Sequence, residues 1–161
     1  MAQVVLSNGI NIEYDTMGDP SNPTLLWIMG FTAQMTAWDE NFLKMYVDRG
    51  FHVVRFDNRD CGLSYKHDGV MVETDKVTMQ AAMGETVTVP VPYTLSDMAA
   101  DAIGVLDHLG IEKAHVIGAS MGGMIAQTVA IEHGHRVKSL TSIMSVPGDL
   151  AYGTPADEAL A

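Results

Sequence analysis

The stretch Lys113–Glu132, KAHVIGASMGGMIAQTVAIE, constrains the fold of this chain more than any other. Ala114, His115, Val116 and Ile117 form a short apolar run with β-branched residues. After Gly118-Ala119-Ser120-Met121-Gly122-Gly123 the apolar spacing turns helical through Ile125, Ala126, Val129 and Ala130. The spacing predicts a strand, a sharp turn and a helix, with Ser120 at the turn. A strand pinched directly into a helix forces its central residue into a strained backbone, which small neighbours permit, and lifts that side chain above the sheet edge. The free N–H groups and positive dipole end of the following helix would then stabilise negative charge on a substrate oxygen beside Ser120. Gly-rich strand–helix turns also cradle phosphates. Neither G-x-G-x-x-G nor G-x-x-x-x-G-K-[ST] occurs here, so the nucleotide reading fits poorly and a nucleophile elbow is the favoured one.

The 161 residues, 47% hydrophobic, suit one globular domain with a sizeable core. A formal net charge of −11 argues against nucleic acid or an anionic membrane as partner, because both are bound through basic patches. Cys61 is the single cysteine, so no disulfide forms within the chain, which fits a reducing, cytoplasmic setting. The N-terminus lacks a basic segment followed by an apolar run, and the run Leu25–Phe31 is too short to cross a bilayer. No ligand cluster has metal spacing, and no organic cofactor is implied. Several of the twelve methionines, among them Met29, Met35, Met121, Met124 and Met144, fall near the predicted C-terminal edge of the sheet; core filling is their default role, an adaptable apolar pocket the alternative.

Along the chain, Gln3–Leu6 and Asn11–Asp15 alternate as two strands joined through Asn8-Gly9, a hairpin signal. Thr24–Met29 reads as a strand buried on both faces, Trp38–Asp48 as an amphipathic helix stopped by Gly50, and His52–Phe56 as a second buried strand. Residues 66–92 read as an irregular loop with room for one short helix. Thr94 with Asp97 three positions on is an N-cap signal, and the face from Leu95 to Leu109 is helical. Val137–Met144 is the last strand, and 146–161 resembles the start of a lid. The alternation predicts an α/β fold: a mostly parallel sheet with helices on both faces and with Phe31, Asp57 and Ser120 along one edge.

Four landmarks now stand together: the elbow at Gly118–Gly123, Met29-Gly30-Phe31 closing the third strand, Asp57-Asn58-Arg59-Asp60-x-Gly62-x-Ser64, and Tyr93-Thr94-Leu95. They resemble the α/β-hydrolase fold family over nearly the whole chain, in particular its bacterial branch of aclacinomycin methylesterase-like esterases. The resemblance implies Ser120 as nucleophile and the backbone N–H groups of Phe31 and Met121 as oxyanion hole. Met29 stands where many relatives carry a histidine. Asp57 and Arg59 are read as ties of their loop.

In this fold the acid and base follow the serine in chain order, on loops after later strands. The chain ends before such strands, so the expectation is a single, incomplete core domain over 1–161 that looks like the N-terminal part of the fold. His115 lies ~16 Å along the strand from Ser120, and His133 and His135 lie roughly 20 Å away down the helix. His52 and His108 belong to the opposite edge. His67 is on the correct side but reads as a solvated loop residue, and Asp149 is a weak candidate for orienting a base. The expected activity is carboxylic ester hydrolysis through an acyl-enzyme on Ser120, with a small-molecule ester as substrate; lactone or carbon–carbon bond hydrolysis are variants. The alternative is a non-catalytic module that self-assembles as a homo-oligomer through its exposed sixth strand.

Overall fold

The computed structural model describes residues 1–82 and 88–148. Its elements run β1 (Ala2–Val5), β2 (Asn11–Met17), β3 (Thr24–Ile28), α1 (Glu40–Val47), β4 (His52–Phe56) and α2 (Thr74–Ala82). Then come α3 (Leu95–His108), β5 (Ala114–Ala119), α4 (Met121–Glu132) and β6 (Val137–Ile143). The strands form one sheet in the order β1-β2-β4-β3-β5-β6. The hairpin β1–β2 joins β4 antiparallel, and the remaining pairs are parallel.

The apolar run of β3 and the Val53, Val54 and Phe56 of β4 call for cover on both faces, and every residue of both strands is buried, Arg55 with its charge paired to Asp15 and Glu40. On one face Leu26, Ile28, Val54, Phe56 and Val116 pack beneath α3 and α4 through Ala102, Leu106, Ile125 and Val129. On the other, Leu25, Trp27 and Val53 meet Leu43 of α1, with Trp38 and Tyr46. Trp27 makes edge contacts with Trp38, Phe42 and Tyr46 at centroid distances of 4.8, 5.7 and 5.3 Å. Burying each large apolar side chain stabilises the fold by about 1.5–3 kcal/mol.

Local chemistry sets the helix limits. Asp39 accepts from Phe42 N–H, so α1 begins at Glu40, two residues later than the apolar spacing predicts, and Trp38 closes a preceding 3₁₀ turn. Thr94 and Asp97 form a reciprocal capping box at the start of α3, as the spacing predicts. Segment 66–92 carries α2, with 83–87 outside the described residues. Most of 146–161, Asp149 included, also lies outside them.

Among the described residues β6 pairs only with β5, and Lys138–Ser142 are exposed. No helix of those residues is long and apolar enough to cross a membrane, and no cluster of three metal-ligating side chains occurs among them.

Candidate active site

β5 passes into α4 through a single residue, Ser120, whose backbone sits at φ 55° and ψ −125°. Three glycines permit this. A Cβ on Gly118 would stand 2.0 Å from Gly122 O, one on Gly122 would stand 2.3 Å from Ile28 O, and one on Gly123 would stand 2.6 Å from Ser145 Cβ. The first turn of α4 thus lies directly against the ends of β3 and β5, closer than any side chain allows. Ser120 N–H donates to Ile143 O at 2.8 Å, hooking the elbow to the end of β6.

The Ser120 side chain is exposed, and among the described residues no hydrogen bond reaches its Oγ. The chain leaving β3 runs against it: a Cβ on Gly30 would lie 3.0 Å from Ser120 Cβ and 3.4 Å from Oγ. Phe31 follows, its ring largely exposed at 75%. Among the described residues, no backbone carbonyl accepts from Phe31 N–H or from Met121 N–H. No acidic residue occupies the first turn of α4, so its positive dipole end is not offset there. The geometry thus gathers a protruding hydroxyl, two free backbone donors and a helix N-terminus.

Non-glycine residues at positive φ follow each of the four neighbouring strand ends: Thr32 at 60° after β3, Asp60 at 62° after β4, Ser120 after β5, and Met144 at 50° after β6. Such conformations cost on the order of 1–3 kcal/mol each and cluster at functional sites. Here they mark one edge of the sheet.

The loop after β4 is tied down by its own side chains. Buried Asp57 accepts from Met35 N–H at 2.7 Å and Leu63 N–H at 3.1 Å. Gly62 packs so closely that a Cβ would stand 1.7 Å from an Asp57 carboxylate oxygen. Lys66 Nζ donates to the carbonyls of Cys61, Gly62 and Ser64 at 2.8, 2.8 and 2.7 Å. Arg59 forms a two-point pair with Asp101, Nε to Oδ2 at 2.7 Å and Nη2 to Oδ1 at 2.8 Å. Asn8 Nδ2 adds a bond of 2.9 Å to Asp101 Oδ1. Burial lowers the Arg59 pKa, but Asp101 more than reverses this, so the guanidinium stays charged. Asp57, through both carboxylate oxygens, and Arg59, through Nε and Nη2, thus hold the loop.

Tyr93 donates to Asp60 Oδ2 at 2.6 Å, and His67 N–H donates to Oδ1 at 2.7 Å. Burial and the Asp60 carboxylate push the Tyr93 phenol up to about 12. Burial raises the Asp60 carboxyl, yet Tyr93, His67 and Lys66 bring it below the usual carboxylate range. The His67 ring stacks on Tyr93 at 5.5 Å and meets Tyr65 edge-on at 5.2 Å, so this loop residue is half-buried between two rings. His108, His52 and His115 lie against Tyr14, Thr24 and Ser139 respectively. His133 and His135 sit at the far end of α4. None of the six approaches Ser120 Oγ within hydrogen-bonding distance among the described residues.

A cavity of ≈ 210 Å³ opens beside Phe31 and Met121, with Met98, Cys61, Tyr93 and Arg59 in its wall. A larger space of ≈ 540 Å³ lies along 71–90, between α2 and Pro90, and touches neither residue. Sequence reasoning identified the elbow but not the Asp60–Tyr93–His67 cluster. Its signal was the polar run Asp57–Asp60, which reveals no partner across 33 residues.

The alpha/beta hydrolase fold family matches residues 23–160. The chain is 27% identical over 158 residues to rhodomycin D methylesterase DnrP of Streptomyces peucetius, covering 98% of this chain and 47% of that protein. Among solved structures, it resembles a hydrolase from Pseudomonas aeruginosa at a TM-score of 0.65 and 26% identity, covering 86% of this chain and 43% of the other. A structure from work on carboxylesterases of Nitrososphaera gargenis superimposes at a TM-score of 0.70 and 22% identity, covering 91% and 46% respectively, a likeness of fold. The chain spans about half the length of the curated relatives it matches. With the sheet order, the elbow and this match over most of its length, the chain belongs to the alpha/beta hydrolase fold family.

Proposed function

We propose that this chain forms the nucleophile-bearing core of a serine carboxylesterase acting on small carboxylic esters. The observation that carries the reading is the elbow: a Ser120 hydroxyl held at φ 55°, with no hydrogen bond to it and no carbonyl on the Phe31 and Met121 N–H groups among the described residues. Ser120 Oγ attacks the ester carbonyl carbon, and the Phe31 and Met121 N–H groups receive the resulting oxyanion. The carbonyl re-forms as the alcohol leaves, and water then hydrolyses the acyl-enzyme. A serine hydroxyl needs a proton acceptor, and in this account that group comes from outside the described residues. The methylesterase name of a relative supports an ester as substrate. The described residues act in this reading as one α/β-hydrolase core domain. Buried Cys61 fits a cytoplasmic setting.

A panel of p-nitrophenyl esters, methyl esters, lactones and a carbon–carbon hydrolase substrate tests this, with Ser120→Ala as control. Turnover of simple esters lost in Ser120→Ala supports the reading. Turnover confined to lactones or carbon–carbon substrates redirects it within the family.

The exposed β6 favours a second reading, a homo-oligomer assembled edge to edge without catalysis. Sedimentation velocity separates the two states. A monodisperse monomer removes this reading.

A further inference from the structure

We infer that Asn58 is a positioning residue for the Phe31 N–H, tying down the turn that carries this donor. The inference rests on the hydrolase reading and names what keeps one of its two oxyanion donors in place.

The turn after β3 is weakly held by its own backbone. Ala33 N–H donates to Gly30 O at 3.4 Å, and positive φ falls on Thr32 and not on Phe31, the pattern of a type II turn over Gly30–Ala33. That pattern favours glycine at the position where this chain has threonine. The Gly30–Phe31 peptide carries both the accepting carbonyl and the Phe31 N–H, which point opposite ways in a trans peptide. Whatever fixes this peptide therefore aims the donor. The elbow limits its movement on one side, because a Cβ on Gly30 would already stand 3.0 Å from Ala119 O and from Ser120 Cβ.

Strained backbone persists only where its surroundings over-determine it. The loop after β4 does this at three points. Asn58 Nδ2 donates to Met29 O at 2.8 Å just before the turn, Cys61 Sγ donates to Ala33 O at 3.1 Å at its end, and Asp57 accepts from Met35 N–H at 2.7 Å beyond it. Asn58 stands apart because Met29 O belongs to the peptide that adjoins Gly30–Phe31. Its amide orientation is dictated chemically, since a carbonyl only accepts and Nδ2 is the donor of the amide. Asn58 is 3% exposed, and its Oδ1 has no hydrogen-bond partner among the described residues. An unpaired buried acceptor weakens a fold, so packing alone gives no reason for an amide here. What Asn58 supplies is the donor to Met29 O.

The test labels the four phenylalanines of the full chain with ¹⁵N and assigns the Phe31 amide signal through Phe31→Leu. Asn58→Asp keeps the side-chain size but exchanges the donor for an acceptor, and Asn58→Leu removes both polar atoms; one variant serves if the other fails to fold. In each, the Phe31 signal should move while those of Phe42 and Phe51 stay. A fluorophosphonate should acylate Ser120 about 10–100-fold more slowly per folded molecule, with the loss in the limiting rate and not in the half-saturating concentration. Thr32→Gly, which suits the turn without outside help, should restore part of the rate in Asn58→Leu. An unmoved Phe31 signal, an undiminished rate, or no recovery through Thr32→Gly would overturn the proposal. A lower urea midpoint with the signal and the rate unchanged would mark a merely structural role and overturn it as well. If the parent chain is not acylated at all while the Phe31 signal still moves in the Asn58 variants, the hydrolase reading fails and the tie between Asn58 and the turn stands.

Discussion

Replacing Ser120 by glycine should stabilise the protein relative to Ser120→Ala. Both substitutions remove a hydroxyl that has no hydrogen-bond partner among the described residues, so the contrast isolates the backbone. At φ 55° and ψ −125° a residue with a Cβ is strained by on the order of 1–3 kcal/mol, and glycine releases that strain. Glycine also loosens the unfolded chain, which offsets about 0.4–1 kcal/mol. The net gain is roughly 1 kcal/mol, or a Tm higher by about 2–4 °C for a domain of this size. Parallel thermal and urea unfolding of the two variants reads it. A glycine variant no more stable than the alanine one would refute the claim that the elbow stores strain.

The other glycines of the elbow should behave oppositely. Gly122→Ala places a Cβ against the Ile28 carbonyl and should cost about 1–3 kcal/mol, read as a lower urea midpoint. Asp101→Ala leaves the Arg59 charge buried and unpaired and should cost about 3–5 kcal/mol. The double replacement Arg59→Met with Asp101→Leu should recover much of that loss, checked by the same unfolding curves. Burial lowers the His52 pKa in the folded state, so below the unfolded value of about 6.5 the unfolded chain binds the extra proton. Stability should therefore fall as pH drops from 7 toward 5, and His52→Gln should flatten that limb of a Tm-against-pH series. At lower pH, Asp60 and Asp97, held below the usual carboxylate range, contribute stability present above about 3.9 and lost as pH falls through their folded values.

The sheet was legible because β3 is a nearly unbroken apolar run, because Val53, Val54 and Phe56 keep β4 largely apolar around Arg55, and because Ser120 lies between a β-branched strand and a small-residue helix start. Those signals are local and set by spacing. The capping box of α3 was legible for the same reason, as Thr94 and Asp97 are three residues apart. What stayed hidden joins distant residues: Arg59 with Asp101, Tyr93 with Asp60, and the Trp27 aromatic cluster. Polar residues in a loop do not reveal their partners, so the ring contacts of half-buried His67 with Tyr65 and Tyr93 were not foreseen. The positive-φ residues Thr32 and Met144 were hidden too, since neither threonine nor methionine signals a left-handed backbone.

The central claim is that Ser120 is the atom that becomes acylated. Intact mass of the purified chain after incubation with a fluorophosphonate tests it most directly, because the reagent adds covalently to an activated serine and the added mass maps to the residue that carries it. The account predicts a single adduct, mapped to Ser120 and absent from a folded Ser120→Ala variant. No adduct on the folded chain, or one that survives in Ser120→Ala, would contradict it.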